Sequence, residues 1–136
     1  VFLWDTKKEE MVFRAQPVAG TATFGRAVRA GSGIIYGIAG REYYAFDPRE
    51  RTVVFRGKLP VRRLRFPQLH DEPVGEQGIL VGLGDDAVFA IDPADHSKRF
   101  VARHESIRRA HGFYITGNGD LHYGSGATLM RCRLPE

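Results

Sequence analysis

Two histidines occupy matching places in this chain: His70 stands eight residues before Gly78, and His111 eight before Gly119. The corresponding residue of an earlier copy of the pattern is Gly25. Neutral imidazole is a good ligand and hydrogen-bonding group near pH 7, so such a pair could help hold a metal or polarise an anionic group. The spacing fixes no third ligand, and no metal is assigned to them. Arginines gather just ahead of each histidine: Arg62, Arg63 and Arg65 in one connection, Arg108 and Arg109 in the other. The planar guanidinium matches carboxylate and phosphate geometry. A basic rim for an acidic ligand, a glycan or a protein is the expectation, set against the plainer reading of surface charge and Arg stems packed between repeats.

Other chemistries find little support. Asp5, Asp47 and Asp92 recur once per repeat at the same turn. A catalytic group stands singly or in an asymmetric pair, so this recurrence points to turn building. Phe13, Phe55 and Phe100 follow those aspartates at eight residues and are read as packing residues of an outer strand. Gly-x-Ser-x-Gly is absent, and Gly31-Ser32-Gly33 lacks the Lys of a phosphate loop. Cys132, the one cysteine, takes the place of the repeated Asp in the last copy and is expected to pack. It provides no intrachain disulfide and no zinc cluster. No catalytic residue and no cofactor is assigned.

The elements that must position these groups come from an internal repeat. Phe2-Leu3-Trp4-Asp5, Tyr44-Ala45-Phe46-Asp47, Phe89-Ala90-Ile91-Asp92 and Leu129-Met130-Arg131-Cys132 align, their last residues 42, 45 and 40 positions apart. Ahead of three of them stand Gly33–Gly37, Gly78–Gly82 and Gly119–Gly124. Tyr44 and Phe46 alternate with Ala45, and Phe89 and Ile91 with Ala90, the period-2 pattern of a strand with one buried face. Asp47-Pro48 and Asp92-Pro93 open hairpin turns, where Asp accepts turn amides and Pro presets φ. Each unit reads as four strands, like Phe113–Thr116, Asp120–Tyr123, Tyr43–Phe46 and Thr52–Arg56. The prediction is an all-β partial β-propeller of about three four-stranded antiparallel blades. Its units are 1–24 (partial), 25–66, 67–107 and 108–136 (partial), thirteen strands from Val1–Trp4 to Thr128–Arg133.

The phrase carried by Gly33–Gly37 with Tyr43–Pro48, and by Gly78–Gly82 with Val88–Pro93, resembles bacterial propeller repeats of the broad NHL, gluconolactonase-like and quinoprotein-like kind. The repeating Trp-Asp and Gly-His dipeptides of WD40 blades, the Gly-Gly pair of kelch and the Trp docking motif of quinoproteins are absent, and no one family is selected. The resemblance implies a binding or interaction scaffold. The alternative is the C-terminal half of a propeller hydrolase or lyase acting on a carbohydrate or uronate.

Composition narrows the partners. A net charge of +4 and a pI near 9.5, from 20 basic against 16 acidic residues, is a mild excess without the dense basic tracts of nucleic-acid binders. No run approaches the roughly 20 apolar residues of a membrane span. Val1 lies inside an apolar run, and the chain is expected to be the C-terminal part of a longer propeller. Its open edges would then meet further blades or a second copy. The compartment stays open.

Overall fold

The computed structural model describes residues 1–65, 70–72 and 79–134, with backbone pairing alone for residues 70–72. Thirteen strands run through the described residues in four successive antiparallel sheets of two, four, four and three strands. Sheet one holds β1 (Phe2–Asp5) and β2 (Glu10–Arg14). Sheet two holds β3 (Val28–Arg29), β4 (Ile35–Ala39), β5 (Glu42–Asp47) and β6 (Thr52–Lys58). Sheet three holds β7 (His70–Glu72), β8 (Ile79–Gly84), β9 (Ala87–Ile91) and β10 (Lys98–Arg103). A 3-10 helix, Glu105–Arg109, then leads into sheet four: β11 (Ala110–Ile115), β12 (Asp120–Ser125) and β13 (Thr128–Arg133). Strand order within each sheet follows chain order. This is the all-β, repeated-sheet architecture expected from the sequence, and a partial propeller accommodates it.

Each sheet packs face-on against the next, which gives three cores, one per seam. Tyr44 and Phe46 of sheet two meet Leu3 and Phe13 of sheet one. Tyr36, Ile38, Tyr43 and Ala45 on the other face of sheet two meet Leu80, Phe89 and Ile91 of sheet three. Val81, Leu83, Val88 and Ala90 of sheet three meet Leu121 and Tyr123 of sheet four. Sheet three is therefore covered on both sides, and every residue of β8 and β9 is buried. Such strands read as continuous apolar runs, and burying each large side chain stabilises by about 1.5–3 kcal/mol. Close approach needs small partners: the rings of Tyr44 and Phe89 lie over Gly37 and Gly82 on the adjacent strand, where a Cβ would collide.

The repeated aspartates build turns. Asp5 accepts the amides of Lys7 and Lys8 at 2.9 and 3.1 Å, and Asp47 those of Arg49 and Glu50 at 2.8 and 3.2 Å. Asp92 accepts the amide of Ala94 at 2.8 Å. Each turn closes on a residue in the left-handed region: Glu9, Arg51 and His96, with φ of 55°, 55° and 61°. The last of these turns also locks a seam. The His96 ring stacks on Phe55 of β6 at 3.8 Å, while Tyr43 and Tyr36 donate to the carbonyls of His96 and Pro93.

Three registers differ from those expected. In sheet four, Met130 pairs with Tyr123 and Cys132 with Leu121, as Phe89 pairs with Gly82 and Ile91 with Leu80. Cys132 thus matches Ile91, and Arg133, not Cys132, takes the place of the repeated Asp. The spacing of Gly119 to Gly124 is one residue longer than in the other copies, and a one-residue slip exchanges the two faces of a strand. Cys132 does pack, against the sheet three–sheet four core. Second, Phe100 pairs with Phe89, whereas Phe13 and Phe55 pair with Leu3 and Ala45. The bulge of β10 falls two pairs further along the ladder, and Phe100 is left 45% exposed instead of packing. The third difference concerns the histidines.

Candidate functional site

His70 and His111 do not share a register. His111 pairs with Gly124 of β12, five residues past Gly119, whereas the backbone of His70 pairs with Val81, three past Gly78. The residue that holds the His111 position in sheet three is Arg65, whose amide donates to Leu83 O at 2.8 Å, as that of Gly25 donates to Ile38 O at 2.8 Å. The side chain of His70 lies outside the described residues. His111 is exposed, its ring over Gly124 on the outward side of sheet four. Among the described residues no group of three or more His, Cys, Asp or Glu could hold a metal ion.

The arginines do converge. A cleft of about 500 Å³ is lined by Arg62, Arg63, Arg65, Arg103 and Arg108 with Asp85 and Asp86. The connection after β6 brings the first three. Val61 buries itself, and Leu64 bridges to Gly84, so Arg62 and Arg63 lie across the β8–β9 hairpin. Glycine is required at Gly84, because a Cβ there would stand 2.6 Å from Arg63 O. Asp85, at φ 49° in the turn, fastens the connection: its carboxylate accepts the amides of Arg62 at 2.8 Å and Arg63 at 3.1 Å. The other hairpins carry Gly40 and Gly126 at this left-handed corner. Asp is among the few other residues that adopt it readily.

Arg65 reaches over the next seam, its Nη2 donating to Ala110 O at 3.2 Å. Arg108 enters from the 3-10 helix, which is anchored by buried Ile107 and capped by His104, whose Nδ1 accepts from the Ser106 amide. Arg103 lies over the Phe100 ring at 4.1 Å. Both Arg103 and Arg108 bind the carboxylate of Asp86, at 2.8 and 3.1 Å. The hydrogen bond from Arg108, then the charges of both guanidiniums, hold the Asp86 carboxyl below its usual range. Arg109 lines a neighbouring cleft of about 340 Å³ with Glu105, Ser106, Arg108 and Ser125.

Five guanidiniums thus face two carboxylates, and neither carboxylate is spare. Asp85 is engaged by backbone amides, and Asp86 by two arginines. The side chains of Arg62 and Arg63 form no hydrogen bond or ion pair among the described residues, although their backbones are pinned. Chemically this is a cationic wall with two forks on a pinned backbone that have no partner among the described residues, suited to receiving an anion. Sequence reasoning located Arg62, Arg63, Arg65 and Arg108 but missed Asp85, Asp86 and Arg103. A signal was present: the β8–β9 turn reads Asp85-Asp86 where the other units read Gly40-Arg41 and Gly126-Ala127.

No protein-family model matches the chain, and no curated protein matches it.

Proposed function

We propose that this chain is part of a propeller-type binding scaffold that takes an anionic ligand, an acidic glycan foremost, in the arginine cleft between the connection after β6 and the start of sheet four. The carrying observation is the pair Arg62 and Arg63: backbones fixed by Asp85 and side chains unpaired among the described residues, beside Arg65 and beside Arg103 and Arg108, which share the Asp86 carboxylate. A repeated carboxylate or sulfate along a glycan would engage several forks at once, and each charge-assisted hydrogen bond contributes about 1.5–3 kcal/mol.

Calorimetric titration with an oligogalacturonate and with a heparin oligosaccharide tests the reading and separates carboxylate from sulfate recognition. Binding that weakens as salt rises, and that falls about tenfold or more in Arg62→Ala/Arg63→Ala, is the expected result. Equal affinity of the wild type and this double variant for both glycans would refute it.

A further inference from the structure

The repeat sets a cleft at the same end of consecutive sheets. Ala110 pairs with Ser125, as Leu64 pairs with Gly84 and Phe24 with Ala39. The residues just ahead of them, Arg109, Arg63 and Thr23, therefore hold one place in sheets four, three and two, and each lines the cleft of its own sheet. Neighbouring clefts share a wall. Arg62 lines both the arginine cleft and one of about 200 Å³ on sheet two, and Arg108 lines both the arginine cleft and the one of about 340 Å³ on sheet four. The three make a groove across the ends of three sheets. Face-packed sheets lie about 10 Å apart, so a ligand that fills two of these clefts is an extended chain, not a single small anion.

The chemistry changes along the groove. On sheet two, Arg41 adds a guanidinium beside Leu59, Val61 and Leu64, and among the described residues no carboxylate lines that cleft. The cleft on sheet four is balanced instead. Glu105 and Arg109 both line it, and neither side chain forms a hydrogen bond or ion pair among the described residues. Two hydroxyls complete the wall: Ser106 Oγ lies 2.8 Å from Tyr123 Oη, and Ser125 Oγ donates to Ser106 O at 2.9 Å. A carboxylate entering here would stand beside Glu105, and like charges brought together on binding are disfavoured. A sugar hydroxyl both donates and accepts, so it can donate to Glu105 and accept from Arg109.

We propose that the sheet four cleft is a subsite for an uncharged sugar, adjoining the acidic-sugar site of the arginine cleft. The groove then selects a linear glycan in which an acidic residue is followed by a neutral one. This rests on the arginine cleft binding an anion, and it adds Glu105 as the residue that turns a second acid away. A nucleic acid strand, with a phosphate on every unit, meets the same repulsion there. The probes are a hyaluronan hexasaccharide, in which uronate alternates with an uncharged N-acetyl sugar, and hexagalacturonate, in which every unit is acidic. Arginine Nε–H resonances report where each one lies. Hyaluronan is expected to shift Arg109 together with Arg62, Arg63 and Arg65, whereas hexagalacturonate shifts the last three and leaves Arg109 in place. In Glu105→Gln, hexagalacturonate should begin to shift Arg109 and bind about threefold or more tightly, with hyaluronan affinity unchanged. Arg109→Ala should weaken hyaluronan about fivefold and spare hexagalacturonate. Both residues are exposed, and far-ultraviolet dichroism should be unchanged in either variant. An Arg109 resonance that hexagalacturonate shifts in the wild type, or that neither glycan shifts while Arg62 and Arg63 respond, overturns the neutral subsite alone. So does an oligothymidylate that binds more tightly than hyaluronan. If neither glycan moves Arg62 or Arg63, the anion site falls and the neutral subsite falls with it.

Discussion

At the level of single residues, the two adjacent aspartates of the β8–β9 turn do different work. Asp85 builds the cleft and Asp86 moderates its charge. Asp85→Ala removes the acceptor of two amides and leaves a β-carbon residue at φ 49°. The expected cost is about 1–2 kcal/mol, the sum of a lost cap-like interaction and left-handed strain. Thermal denaturation should show Asp85→Asn less affected, because it retains an acceptor and tolerates that conformation. Asp86→Asn leaves Arg103 and Arg108 without their shared carboxylate. Both pairs are largely exposed, so melting temperature should change little while affinity for an acidic oligosaccharide rises. Equal or weaker binding by Asp86→Asn would show that Asp86 positions the two arginines more than it competes for them. The basic members of the site were legible as clusters in two connections. Asp86 and Arg103 were not, because they meet only when a hairpin turn folds against the end of β10.

Among the elements, the hairpin turns join the sheets as well as closing them. The turn ending at His96 places its imidazole on Phe55, and burial pushes the imidazole's pKa below 6.5 despite the nearby Asp95 and Asp92. Its Nδ1 is buried without a hydrogen-bond partner among the described residues. The folded chain therefore binds fewer protons here than the unfolded chain between the lowered pKa and about 6.5. Stability from this group is fully present above that window and is lost as pH falls through it. Melting temperature should decline as buffer pH is lowered below 6.5, and His96→Asn, which accepts the left-handed φ, should flatten that slope. An unchanged slope would assign the acid sensitivity elsewhere. The elements also mark how far counting along the chain carries. Period-2 alternation and the Gly and Asp markers yield the thirteen strands and their four sheets. They misplace Leu129, Phe100 and His70 because a bulge or an added residue changes pairing without changing residue type.

For the whole molecule, the seams organise the packing. Apolar rows alternate across sheets two and three so that each face meets a neighbour, and the arginine cleft forms where the connection after β6, the β8–β9 turn and the 3-10 helix meet. The ends of the stack differ: an apolar face with Phe2, Trp4 and Met11 on sheet one, and on sheet four a mixed face in which His122, Arg131 and Arg133 stand beside exposed Tyr114 and Leu129. The basic excess of the chain is therefore distributed between a built cleft and an open surface, and the proposed anionic ligand belongs to the cleft. The most direct test follows the arginine Nε–H resonances by nuclear magnetic resonance during titration with an oligogalacturonate. Shifts are expected at Arg62, Arg63, Arg65, Arg103 and Arg108, with Arg49, Arg51, Arg131 and Arg133 unmoved. Shifts confined to Arg131 and Arg133, or spread evenly over all of these arginines, would contradict it.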